Sequence, residues 1–211
     1  MVETAVMRPL VPFVRRVNEG PHPVLLAALR RALPEVELVE HGEIPADRLA
    51  EATVAIVDGP SADQLVSLPN LAFVQSTWAG VEAIIPAVPD GVAIARMVDP
   101  QLAATMAEAV LAWTLYLHRD MPRYARQQRD AEWIEHPVVR VSDRRVGIVG
   151  LGALGTAAAN TLVRHGFDVA GWSRSPKVLE GVQCVDGDGG FATLLARSDI
   201  VVNLLPHTVA T

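Results

Sequence analysis

The run RVGIVGLGALG, residues 145–155, constrains this chain more than any other stretch. Gly150, Gly152 and Gly155 form a GxGxxG that directly follows an apolar, β-branched strand pattern and directly opens a helical one. Each glycine has a separate reason. Gly150 makes the tight turn, Gly152 lets backbone approach a pyrophosphate, and Gly155 lets the helix lie close on the strand. The N–H groups at the helix start, from Ala153 and Leu154 onward, would then face a phosphate anion, aided by the helix dipole. A tight strand–helix turn without ligand is the competing reading of the same residues.

The next strand pattern, DVAGWS at residues 168–173, carries the second signal. An NAD site places Asp or Glu about 20 residues after the glycines, on the ribose 2′-hydroxyl. Here the strand ends in Trp172 and Ser173, followed by Arg174 and Ser175, while Asp168 sits at the wrong end. Ser173 would remove the repulsion that a carboxylate exerts on a 2′-phosphate. Arg174 would add a charge-assisted hydrogen bond of about 1.5–3 kcal/mol. NADP(H) is therefore favoured, with NAD(H) the alternative. Arg174 also reads as a surface arginine in a turn before Pro176.

Around this unit the chain alternates short strand and helix patterns, as a parallel sheet flanked by helices requires. Strands are predicted over residues 36–39, 53–59, 71–76 and 92–97, with a helix over 23–33 punctuated by Pro23 and Pro34. A long helical pattern over 100–121 has one face of Leu102, Met106, Ala109, Val110, Trp113 and Leu117. Leu111, Leu115 and Tyr116 make the other side apolar too, which predicts burial between two bodies. A polar connector is expected over 122–144, and a helix over 190–199 and a strand over 200–205 after the glycine unit. The expected architecture is α/β: two flavodoxin-like or Rossmann-like parallel-sheet domains. Residues 1–98 form a substrate domain, and residues 99–211 the interdomain helix and an incomplete dinucleotide-binding domain.

Net charge is −6, so the basic footprint of a nucleic-acid binder is absent. Arg123, Arg126 and Arg129 read as a solvated helix end or an oligomer contact. One cysteine, Cys184, excludes an internal disulfide. The start MVETAVMRPLVP lacks a signal-peptide pattern, and residues 106–117 are too short and carry Glu108, so no membrane span is expected. A soluble cytoplasmic protein without a metal site is the expectation.

The stretch RRVGIVGLGALGTAAANTLVRHGFDVAGWSRSPK, with SDIVVNLLPHT after it, closely resembles the D-isomer-specific 2-hydroxyacid dehydrogenases. The nearest resemblance is to their NADPH-dependent glyoxylate/hydroxypyruvate reductase branch. FVQSTWAGVEAI is similar to the family's substrate loop, and MAEAVLAWTLYLHR to its interdomain helix. The resemblance implies that the Ala79 and Gly80 amides bind the substrate carboxylate. It implies that Trp78 walls the pocket, or packs as an ordinary aromatic. It places Met106 near the nicotinamide, where ordinary helix core is the competing role. Leu205 and Pro206 would pass along the adenosine side, and Thr208 would cap a helix. Where the family often has Asp, this chain has Glu82.

By the same resemblance, hydride from NADPH would reduce a small 2-oxo acid to the 2-hydroxy acid in a homodimer, with a contact around Trp133. The family's catalytic Arg, Glu or Asp, and His are expected beyond Thr211. The chain is therefore expected to be a fragment or the ordered part of something longer, inactive by itself, with Val201, Val202 and Leu204 on an uncovered sheet edge. His207 reads as a cofactor-side or surface residue. An NAD-dependent 2-hydroxyacid or formate dehydrogenase relative, and a non-catalytic corepressor-like dinucleotide-binding module, are the alternatives.

Overall fold

The computed structural model describes residues 8–16 and 23–208. The chain divides between Val98 and Asp99 into two compact units. The first contains β1 (Leu10–Arg15), α1 (Pro23–Ala32), β2 (Glu37–Glu40), β3 (Val54–Asp58), α2 (Ala62–Val66), β4 (Phe73–Ser76) and β5 (Ala93–Ala95). Its sheet is wholly parallel in the order β2-β1-β3-β4-β5, the flavodoxin-like order. Alternate residues bury opposite faces. Val11 and Phe13 pack with Leu26 and Leu38, while Val14, Val57 and Val74 pack with Leu65 and Ile84.

The second unit contains α3 (Pro100–His118), α4 (Met121–Arg129), β6 (Arg145–Val149), α5 (Ala153–Arg164), β7 (Asp168–Ser173), β8 (Val182–Asp186), α6 (Gly187–Arg197) and β9 (Ile200–Asn203). Its parallel sheet runs β8-β7-β6-β9, the order of the first four strands of a Rossmann fold. One face packs on α5 and α3 through Val146, Ile148, Val169, Leu162 and Val110. The other packs on α6 through Val149, Ala170 and Leu194. Strands covered on both faces need continuous apolar runs, as RVGIV and DVAG supply. β9 is an outer strand, with Val201 exposed and Val202 half-buried.

Three expectations need correction. The segment 122–144 is not a plain connector: Pro122 lies in the first turn of α4, whose polar surface hides it from a search for apolar periodicity. The long helix stops at His118, and its buried stripe is Ala107, Val110, Thr114 and His118. Trp113 and Leu117 are exposed, so the apolar face picked out in the sequence is not the buried stripe. β1 and β8 are strands that the sequence pattern does not announce.

Arg145 and Asp199 tie the start of β6 to the turn before β9. The Arg145 side chain donates to Asp199 at 2.7 Å and its backbone N–H at 2.9 Å. These bonds hold the Asp199 carboxyl down at about 2. A depressed carboxyl stabilises the fold above its unfolded value of about 3.9, and that contribution fades as pH falls towards about 2. Asp199→Asn should therefore lower Tm by about 2 °C near pH 7. The difference from the parent chain should shrink steadily in melts recorded through acid pH.

Candidate functional site

In open α/β sheets, ligands bind beyond the carboxyl ends of the strands, where strand order reverses. In the second unit that point lies between β6 and β9. A cavity of about 380 Å³ is found there, lined by Gly150, Leu151, Gly152, Trp172, Ser173, Arg174, Ser175, Lys177, Leu204, Leu205 and Pro206. The structure thus brings together the glycine loop, the WSRS turn and the LLP segment, three stretches separated in sequence.

The glycines differ in what holds them. Gly150 has φ +100°, a conformation that favours glycine. Its N–H and that of Leu151 both donate to the Trp172 carbonyl, at 2.9 and 3.2 Å. A Cβ on Gly155 would fall 1.8 Å from the Gly150 carbonyl oxygen. Gly152 has φ −73°, which any residue adopts, and a Cβ there would meet no atom within 4 Å. Neither backbone strain nor packing explains glycine at 152. A bound pyrophosphate does, so this loop fits a dinucleotide. Gly152 is also the N-cap of α5 and offers no side-chain cap, which leaves N–H groups of the first turn, from Ala153 and Leu154, for an anion.

At the end of β7, Ser173 is buried and its hydroxyl donates to the Ser175 carbonyl at 2.7 Å, shaping the turn. Arg174 is exposed and forms no ion pair among the described residues. Lys177 reaches back across the mouth, its Nζ donating to the Leu151 carbonyl at 2.5 Å. Sequence spacing gives this second cation no role, because its link to the loop depends on the turn. Asp186, the register partner of Ser173 on β8, is the nearest acid along the sheet, yet it does not line the cavity. Trp172 is fixed by donating from Nε1 to the Gly187 carbonyl at 2.8 Å.

Met106 lies elsewhere. It lines a second cavity with Val110, Trp113, Thr114 and β9. A cavity of about 600 Å³ sits between α4 and the segment through Trp133 and has no phosphate loop. No histidine lines the cavity at the β6–β9 junction. His118 is buried beside Phe167, and burial, then Arg144 and Arg119, push its imidazole below the usual range. His136 is bonded to Gln127 and His165 to the Thr161 carbonyl. Among the described residues no cluster of His, Cys, Asp and Glu is arranged to hold a metal, and no helix is long and apolar enough to cross a membrane.

In the first unit, Trp78, Ala79 and Gly80 follow β4 at the carboxyl edge of the sheet. Trp78 packs against Gly59, with the Arg16 guanidinium 5.2 Å above its ring centre. A Glu82 carboxylate oxygen comes within 2.9 Å of where a Cβ on Gly80 would stand.

A Serratia proteamaculans protein described as glyoxylate/hydroxypyruvate reductase A is 33% identical over 193 residues, covering 88% of this chain and 61% of that protein. The chain thus spans about three fifths of the length of that relative. A D-isomer specific 2-hydroxyacid dehydrogenase from Xanthobacter autotrophicus Py2, solved with NADPH and MES, has TM-score 0.84 and 38% identity over 97% of this chain and 65% of its own. An NADPH-dependent glyoxylate/hydroxypyruvate reductase from Sinorhizobium meliloti, solved with NADP and sulfate, has TM-score 0.82 and 35% identity over 96% of this chain and 64% of its own. Residues 111–211 match the D-isomer specific 2-hydroxyacid dehydrogenase NAD binding domain, and these relatives are similar to the chain over nearly its whole length.

Proposed function

We propose that this chain serves NADPH-dependent reduction of a small 2-oxo acid, of glyoxylate or hydroxypyruvate type, to the 2-hydroxy acid. The observation that carries the proposal is the composition of the β6–β9 cavity. It joins a glycine that neither backbone strain nor packing requires to Arg174 and Lys177, with no carboxylate on its lining. When bound, the nicotinamide supplies the hydride. Gly150, Gly152 and the first-turn amides of α5 through Gly155 would hold the pyrophosphate, Arg174, Ser175 and Lys177 the 2′-phosphate, and Trp172, Leu205 and Pro206 the adenosine. Ala79 and Gly80 would receive the substrate carboxylate, with Trp78 as a wall. Homology with the reductases above supports the substrate class.

A homodimer in the cytoplasm belongs to the same proposal. The segment after α4 exposes Trp133 at 92%, with Ile134 and Val138 beside it, beyond what a solvated loop requires. The NAD-dependent reading has one observation in its favour, the Asp186 carboxylate on the strand beside Ser173.

Direct titration separates the two. NADPH should bind at least about tenfold more tightly than NADH, and Arg174→Ala should cost about tenfold to a hundredfold for NADPH alone. Ser173→Asp should remove or invert the preference. Equal affinities in the unmodified chain would sink the proposal.

A further inference from the structure

We infer that Asp58 is the positioning residue of the Thr77–Gly80 loop, holding the backbone that presents the Ala79 and Gly80 amides to a substrate carboxylate. This rests on the reading of that loop as the substrate loop. Asp58 is the last residue of β3, at the carboxyl edge of the sheet, between β1 and β4. Strand order reverses between β1 and β3, so Asp58 stands where an open α/β sheet binds its ligand.

Asp58 is 9% exposed, and a buried carboxylate destabilises a fold unless it is well paired. Its partners lie in the loop. One oxygen accepts from Thr77 Oγ1 at 2.8 Å and from Trp78 Nε1 at 2.5 Å. The other faces Arg15 Nε at 3.4 Å, its register neighbour on β1. The backbone of Trp78 is held independently. Its N–H donates to Ser76 Oγ at 2.9 Å, and its carbonyl accepts from the Met97 N–H at 3.1 Å. The indole is therefore fixed at its nitrogen by Asp58, along its ring edge by Gly59, and across its face by Arg16. An indole fixed at that many points restrains the backbone it hangs from, and the bond to Thr77 restrains the preceding residue, so together they limit the direction of the amides that follow at 79 and 80.

An apolar residue at the end of β3 would serve the sheet as well as a buried carboxylate does. The bonds to Thr77 and Trp78 serve the loop. They also occupy the Asp58 charge, so that it does not face an incoming anion.

The test compares Asp58→Ala and Asp58→Asn in the full chain. Three quantities are read: the Trp78 indole N–H resonance (assigned with Trp78→Phe), the glyoxylate response of the Ala79 and Gly80 amide resonances with NADP+ present, and NADPH affinity. Asp58→Ala should shift the indole signal upfield and weaken glyoxylate at least about tenfold with NADPH affinity unchanged. Asp58→Asn keeps an acceptor oxygen and should recover all but about threefold. Equal glyoxylate binding by the parent chain and Asp58→Ala would overturn the inference. So would loss of NADPH affinity in both variants, which would make Asp58 a residue of the fold. An absent amide response to glyoxylate in the parent chain would also overturn it while leaving the NADPH preference standing, since that preference is measured separately.

Discussion

Gly155→Val should strongly destabilise the second unit. A Cβ at 155 would lie 1.8 Å from the Gly150 carbonyl oxygen and 2.9 Å from its carbon, both backbone atoms that no rotamer change can move. Relief requires lifting α5 off β6, and α5 brings Ala158, Ala159 and Leu162 into the main core of that unit. Overpacking of a close-packed interior typically costs about 1–3 kcal/mol, and a clash with fixed backbone belongs at or above the top of that range. The valine variant should therefore lose about 6 °C or more in Tm, or yield insoluble protein. Gly155→Ala should show most of the same loss, because the first carbon already makes the clash. A melt of Gly155→Ala within a degree or so of the parent would refute the contact.

Gly152→Val should do the opposite. A Cβ at 152 meets nothing within 4 Å and φ is ordinary, so the fold should lose less than about 1 kcal/mol. The side chain would instead fill the space through which a pyrophosphate approaches the α5 amides. NADPH affinity should fall at least about a hundredfold, equivalent to about 2.7 kcal/mol. Melting curves and NADPH titrations of the two variants together should give a crossed result: one stable and weak in binding, the other destabilised. Retained NADPH affinity in a folded Gly152→Val chain would remove the reason for a glycine there.

The β6–α5–β7 unit is legible in the sequence because each of its physical demands leaves a mark. Strands buried on both faces need unbroken apolar runs, and the turn needs glycines at fixed spacing. β1 escapes notice because Pro12 breaks its pattern: proline lacks a ladder donor, yet this one sits in a strand with neighbours on both sides. β8 escapes because it is an outer strand without a fully buried residue, so nothing forces an apolar run on VQCVD. α4 is polar and has a proline in its first turn, which mimics a loop. On α3 the periodicity is right in kind but picks the wrong stripe, since Trp113 and Leu117 are as apolar as the residues that α5 actually covers. The loss of an acid at 173 can be read directly. Lys177, Asp58 and Asp186 cannot, because what they touch is set by a turn or by strand register, which no spacing along the chain records.

The glycine loop hangs on β7. Two of its N–H groups share the Trp172 carbonyl, and Lys177 returns from the following turn to the Leu151 carbonyl. The stretch proposed to choose between dinucleotides and the stretch proposed to grip what they have in common are thus one mechanical piece. A redesign of residues 173–177 that swaps cofactor charge, including Lys177, would also release a tether on the loop. Cofactor-swapping substitutions here would then be epistatic with substitutions at 150–152, and a switched chain would need repair at the loop before it regained its grip on either dinucleotide.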